Sequence, residues 1–257
     1  MAKWTAFPHA GDYALNAASL KKSWARLHQG DCEPPPKEAD VLEAWVLFHN
    51  GEFQKAAEAG VEAGSHGLTV ANKAASIYAN YLETKEKTKL ELFMEVAARA
   101  EAQQAADPKN PNAWYWQAYA LGRYSQGISV AKALAQGLGS KVKHALEHAI
   151  KLQPKHADAH IALAAFHAEV IDKVGSLIGG MTYGAKKDIG LALYKDALKL
   201  SPNSAIAMIE YANGLVMLEG DKRMAEATKL YEQAATSKPM DACERLDVEM
   251  AKAELED

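Results

Sequence analysis

Nine histidines occur in the chain, and five of them fall between positions 144 and 167: His144, His148, His156, His160 and His167. His144 and His148 stand four apart, a spacing that brings two imidazoles to one side of a helix where they can share a metal ion. The order His-Ala-Leu-Glu-His over 144–148 differs from the His-Glu-x-x-His of zinc proteases, so Glu147 is misplaced as a general base. A surface role for this pair competes with the metal reading, and no metal or cofactor is expected. Gly137-Leu-Gly-Ser-Lys141 could present helix-start amides and Lys141 to an anion. It lacks the Gly-Lys-Ser/Thr order of a phosphate loop and follows no strand, so it reads as a loop re-entering a helix. There is no Gly-x-Ser-x-Gly elbow, and neither Cys32 nor Cys243 has a recognisable histidine partner. The reading is a protein that is not an enzyme.

The elements that would carry these groups are helical. The 257 residues are 49% apolar and 24% charged, enough for a packed core. A net charge of −4 supplies no basic field for nucleic acid or an anionic membrane surface. Two distant cysteines make neither a disulfide framework nor a metal quartet. No apolar run reaches the length of a transmembrane segment and the N-terminus lacks a secretion signal, so a cytoplasmic protein is expected.

Residue columns recur. Ala149, Ala197 and Ala234 each precede a proline by five positions, at Pro154, Pro202 and Pro239, and each follows a bulky residue by three, at Leu146, Tyr194 and Tyr231. Ala118, Ala164 and Ala212 each follow a proline by ten. Small residues at these steps let antiparallel helices approach closely while the bulky ones fill the space between. Proline ends each second helix, and Asn110 or Asn203 suits the next N-cap.

This arrangement resembles the tetratricopeptide repeat (TPR) family, whose 34-residue unit carries Trp–Leu–Gly–Tyr and then Ala–Phe–Ala–Pro at fixed positions. Trp114, Ala118 and Leu121 match the first half, as do His160, Leu163 and Ala164, and Met208, Tyr211, Ala212 and Leu215. Val142, Leu146, Ala149 and Pro154 match the second half, as do Ala227, Tyr231, Ala234 and Pro239. Gln117 and Gly190 depart from the usual Leu and Ala. Apolar, Gly-rich insertions at 122–139 and 170–184 lengthen two repeats. They are similar to elaborations in the regulators of microtubule dynamics and the TRAP-transporter-associated TatT proteins.

The resemblance implies an all-α, TPR-like superhelix, a right-handed solenoid of antiparallel helix pairs, as one domain over 1–257. Within it, 1–37 forms an N-terminal helix (14–28) and a Pro-rich connector, and 38–107 forms degenerate repeats (helices 38–49, 52–63, 68–83 and 87–106). The clearest repeats occupy 108–239, and 240–257 forms a capping helix with Leu246 and Met250 on its inner face. It also implies a concave groove lined by Asn112, Tyr115, Trp116, Tyr119 and Arg123, by Ile161, Ala165 and Glu169, and by Ile209, Asn213 and Val216. Ile209 stands where a carboxylate-gripping repeat has Lys, so that clamp is not expected. Tyr115, Trp116 and Tyr119 form an aromatic wall suited to a peptide or partner helix, unless it is core. The function implied is a protein-interaction scaffold. The alternative is a carrier or sensor of a small apolar ligand enclosed by the insertions.

Overall fold

A computed structural model describes residues 3–256, in which helices account for the regular structure and no strand occurs. The helices form two compact units. The first comprises the residues up to His28, Glu33–Leu152 and Met240–Cys243; the second comprises Gln29–Cys32, Gln153–Pro239 and the residues from Glu244 onward.

In the first unit α1 (Ala17–Leu27) starts on a capping box: Asn16 accepts from the amides of Ala18 and Ser19, and Ser19 satisfies the Asn16 amide. It packs on α2 (Ala39–His49), which is followed by α3 (Phe53–Glu62), α4 (Leu68–Tyr81), α5 (Glu86–Ala106), α6 (Pro111–Gln126), α7 (Val130–Ala135) and α8 (Leu138–Leu152). Each of α2 to α5 packs on its successor, and α8 packs on both α6 and α7. Short turns between packed helices make them antiparallel neighbours. Trp45, Phe48, Phe93, Leu20 and Leu146 are fully enclosed, each such side chain contributing roughly 1.5–3 kcal/mol by leaving water. The segment before α1 is extended and tied down. Trp4 stacks on Tyr78 at 4.2 Å, Phe7 is buried against Phe53, and Asn50 exchanges two hydrogen bonds of 2.8 Å with the backbone of Leu15.

The second unit contains α9 (Ala157–Val174), α10 (Ser176–Tyr183), α11 (Lys187–Leu200), α12 (Ala205–Glu219), α13 (Met224–Ala235) and most of α14 (Ala242–Glu256). Helix α9 packs on α10, α11 and α12, and α12 packs on α13. All six column alanines expected from the sequence are buried, two of them in the first unit and four in the second. Tyr194 stacks on Tyr211 at 5.3 Å, and this pair fills the space that Ala164, Ala197 and Ala212 leave. Val248 and Ala251 of α14 close the end of this unit against Ala205, Ile209 and Ala234. The inner face of α14 is thus wider than Leu246 and Met250 alone. Ser204, not Asn203, caps α12 by accepting from the Ala207 amide.

Both insertions are helical. Helix α6 continues through the first five residues of 122–139, and α7 then occupies its centre. In 170–184, Gly175 (φ +81°) breaks the path of α9, and Gly184 (φ +65°) ends α10 in the left-handed conformation that glycine adopts without strain. At Gly179 an added Cβ would lie 2.9 Å from Val170, so glycine lets α10 lie close against α9. Leu177, Ile178 and Met181 point outward, 58–82% exposed.

Candidate functional site

Helix α6 carries the aromatic wall. Asn110 caps it, accepting from the Asn112 and Ala113 amides, and Pro111 occupies the first turn where its missing N–H is harmless. At 100° per residue, Asn112, Tyr115, Trp116, Tyr119 and Arg123 fall on one side of this helix, and Trp114, Gln117 and Leu121 on the opposite side.

On the first side, Asn112 is buried and donates to Glu33 Oε2 at 2.6 Å. Tyr115 and Trp116 are also buried, their ring centroids 4.8 Å apart, and Tyr119 meets Trp116 edge-on at 5.3 Å. Tyr119 and Arg123 are half-buried, with the Arg123 guanidinium 5.4 Å from the Tyr119 ring centre. The wall is therefore core at its base and surface at its rim. The Trp116 Nε1–H is enclosed and finds no acceptor among the described residues. An enclosed donor left unsatisfied costs about 1–3 kcal/mol, and such atoms are uncommon in folded chains.

The groove residues expected from the second unit are engaged in its own structure. Ile161 and Ile209 are core. Asn213 accepts from the Tyr231 hydroxyl, and Glu169 pairs with Lys173 at 3.5 Å. Val216 and Ala165 pack, half-buried, against the Tyr194–Tyr211 cluster.

The five histidines divide between the units. His144 is exposed, and half-buried His148 lies against Trp114 with centroids 4.1 Å apart. His156 caps α9 by accepting from the Ala159 amide at 3.1 Å, a role sequence reading did not assign. His160 contacts the His156 carbonyl, and buried His167 accepts from the Lys186 amide. Among the described residues no group of three or more potential ligands is arranged to hold a metal ion, and no helix is long and apolar enough to cross a membrane.

A buried polar relay in the first unit was not foreseen. His49 Nδ1 lies 2.6 Å from Asp241 Oδ2, and His49 Nε2 lies 3.2 Å from His28 Nε2, with all three residues enclosed. With Asp241 ionised, His49 donates from Nδ1; when neutral it then accepts at Nε2 from the His28 N–H. Trp24 stacks on His28 at 4.1 Å, and Trp45 on His49 at 5.7 Å.

No family model and no curated protein matches the chain. A solved structure does: a thermophilic TPR protein of Thermus thermophilus, at 17% identity and a TM-score of 0.58, covering 83% of this chain and 97% of that one. This likeness establishes the fold as all-α and TPR-like.

Proposed function

We propose that the protein is a non-enzymatic interaction scaffold that receives an extended peptide or a partner helix on the Tyr115–Trp116–Tyr119–Arg123 side of α6. A TPR-like fold favours a protein-interaction role in general. The observation that carries the finer reading is the enclosed Trp116 N–H without an acceptor, beside a rim of two half-buried side chains. Movement of Tyr119 and Arg123 would open that donor to a partner's carbonyl oxygen, and the two rings would supply apolar area at little entropic cost. The contribution of the second unit is narrower than the family pattern implies, because Ile161 and Ile209 are core and Asn213 is engaged by Tyr231. The carrier alternative draws little support from α10, which turns its large apolar side chains away from any enclosure.

The test is selection of ligands from a random displayed-peptide library on the intact protein, followed by titration of Tyr119→Ala and Arg123→Ala. Loss of about tenfold or more in affinity, with the circular dichroism spectrum unchanged, is expected. Peptides that bind the variants as tightly as the parent would remove this side of α6 from consideration.

A further inference from the structure

The opposite side of α6 carries a separate feature. Trp114, Gln117 and Leu121 form the floor of a cleft of about 360 Å³, with α5 as one wall and α8 as the other. That volume falls in the range of small-molecule sites. The α5 wall is apolar through Met94, Ala97 and Ala98, with Glu101 further along; the α8 wall supplies Lys141 and His144. We propose that this cleft binds a small carboxylate bearing an aromatic or branched apolar tail.

The chemistry of each wall supports that ligand class. The indole N–H of Trp114 is committed to the Pro108 carbonyl at 3.0 Å, and His148 lies against its ring at 4.1 Å. Trp114 is thereby fixed in place and offers carbon surface. Leu121, Ala97 and Ala98 extend that surface for a tail, and the alanines leave room for it. Lys141 has no ion-pair partner among the described residues. The one acid on α8, Glu147, is held by Lys143 at 2.9 Å and does not quench it. Gln117 accepts from Gln104 with its side-chain oxygen at 2.9 Å, so both of its amide hydrogens remain to be donated. Lys141, the His144 ring and the Gln117 amide form a donor set, against which Glu101 is the single carboxylate. A carboxylate head meets that set on the α8 side, where charge-assisted hydrogen bonds are strong. Glu101 disfavours the reversed orientation and also a dianionic phosphate ester.

The experiment titrates the intact protein with 3-phenylpropionate, 3-phenylpropanol and 3-phenylpropylamine by calorimetry and saturation-transfer NMR. The acid is expected to bind with a Kd on the order of 1 mM or tighter, about tenfold better than the alcohol or the amine. Lys141→Ala should lower acid affinity by about tenfold and Glu101→Gln should leave it unchanged or raise it. Lys141 and Glu101 are exposed, so neither change threatens the fold. Trp114→Ala should abolish binding while Trp114→Phe retains part of it, with both spectra native. Equal affinity for acid and alcohol, a preference for the amine, indifference to Lys141→Ala, or no saturation by the acid at about 10 mM would each overturn the proposal.

Discussion

Among the most enclosed large side chains of the first unit are Trp45, Phe48, Phe93 and the His49 ring, beside Leu20 and Leu146. In the second they are Tyr194, Ile209, Leu215 and the His156 ring, with Tyr194 embedded among alanines such as Ala164, Ala197 and Ala212. The first unit sets several rings among buried alanines such as Ala44, Ala71 and Ala74, and must satisfy the polar atoms those rings carry. Its Asp241–His49–His28 relay and the extended segment anchored by Trp4 do part of that work. The second unit seats the Tyr194–Tyr211 stack against its alanine columns, so its tolerance around that stack is set by single methyl groups. Similar helix pairing therefore arises from two kinds of interior, and the two should fail in different ways.

The largest effect is expected in the relay. Asp241→Ala strands the buried Nδ1–H of His49 and should destabilise the first unit by about 3 kcal/mol, the upper end of the cost of an enclosed donor left unsatisfied. Urea unfolding followed by tryptophan fluorescence reads this directly, since Trp24 and Trp45 ring the site. Replacing both partners, His49→Leu with Asp241→Leu, should be milder than Asp241→Ala alone, because the buried Nδ1–H is removed together with its acceptor and only the 3.2 Å contact to His28 is lost. If single and double changes weaken the protein equally, the relay contributes only its volume and the contrast with the alanine-packed unit disappears.

A smaller effect separates glycines by their surroundings. In α12 of the second unit, a Cβ on Gly214 would lie 2.2 Å from Tyr194 Cε2, against a ring held in a stack. Gly214→Ala should therefore lose about 1–3 kcal/mol, despite the gain of about 1 kcal/mol in helix propensity. Gly190 is the position where the TPR pattern expects Ala; there the new methyl would meet His167 Cβ at 3.2 Å, and the expected change is near zero. Gly122 in α6 of the first unit has nothing within 4 Å, and Gly122→Ala should stabilise by about 0.5–1 kcal/mol. Thermal melts of the three variants should rank in that order. A destabilised Gly122→Ala would show that helix α6 needs the glycine for a reason other than space.

The same contrast explains what was legible in advance. Ala118, Ala164 and Ala212, and the prolines ten residues before them, are local periodic signals, so the helix pairs over 108–239 could be read from spacing alone. The glycine-rich segments at 122–139 and 170–184 read as insertions. Their helices depend on contacts such as Gly179 with Val170 that no periodicity announces. The residues expected to line a groove share one side of α6, but burial of Tyr115 and Trp116 is set by neighbouring helices and not by their own spacing. The relay joins positions 192 and 21 residues apart, a separation that leaves no mark in a single sequence. His156 as the cap of α9 was within reach, because its ring stands where Ser or Asn would, three residues before the amide it accepts.

The smallest expected effect belongs to the short stretch Gln29–Cys32, which packs as part of the second unit. The Asp158 amide donates to the Gly30 carbonyl at 3.1 Å, and the Cys32 thiol donates to the Lys155 carbonyl. Burial, reinforced by the carboxylates of Asp31 and Asp158 and opposed by Lys155, pushes the thiol from its ordinary 9.0 up to about 11. The folded protein thus retains the Cys32 proton after the unfolded chain has released it. The stability this confers is fully present below pH 9 and is lost as pH rises through about 11; between pH 6 and 8 the thiol contributes no pH dependence. At neutral pH Cys32→Ser should change stability by no more than about 0.5 kcal/mol. At pH 8 the folded chain should carry about a hundredth of the Cys32 thiolate of the unfolded one, so iodoacetamide should label Cys32 about a hundredfold more slowly before urea is added than after. Peptide mass spectrometry resolves Cys32 from Cys243. Rapid labelling of Cys32 in the native protein would mean that this stretch is not packed against the start of α9.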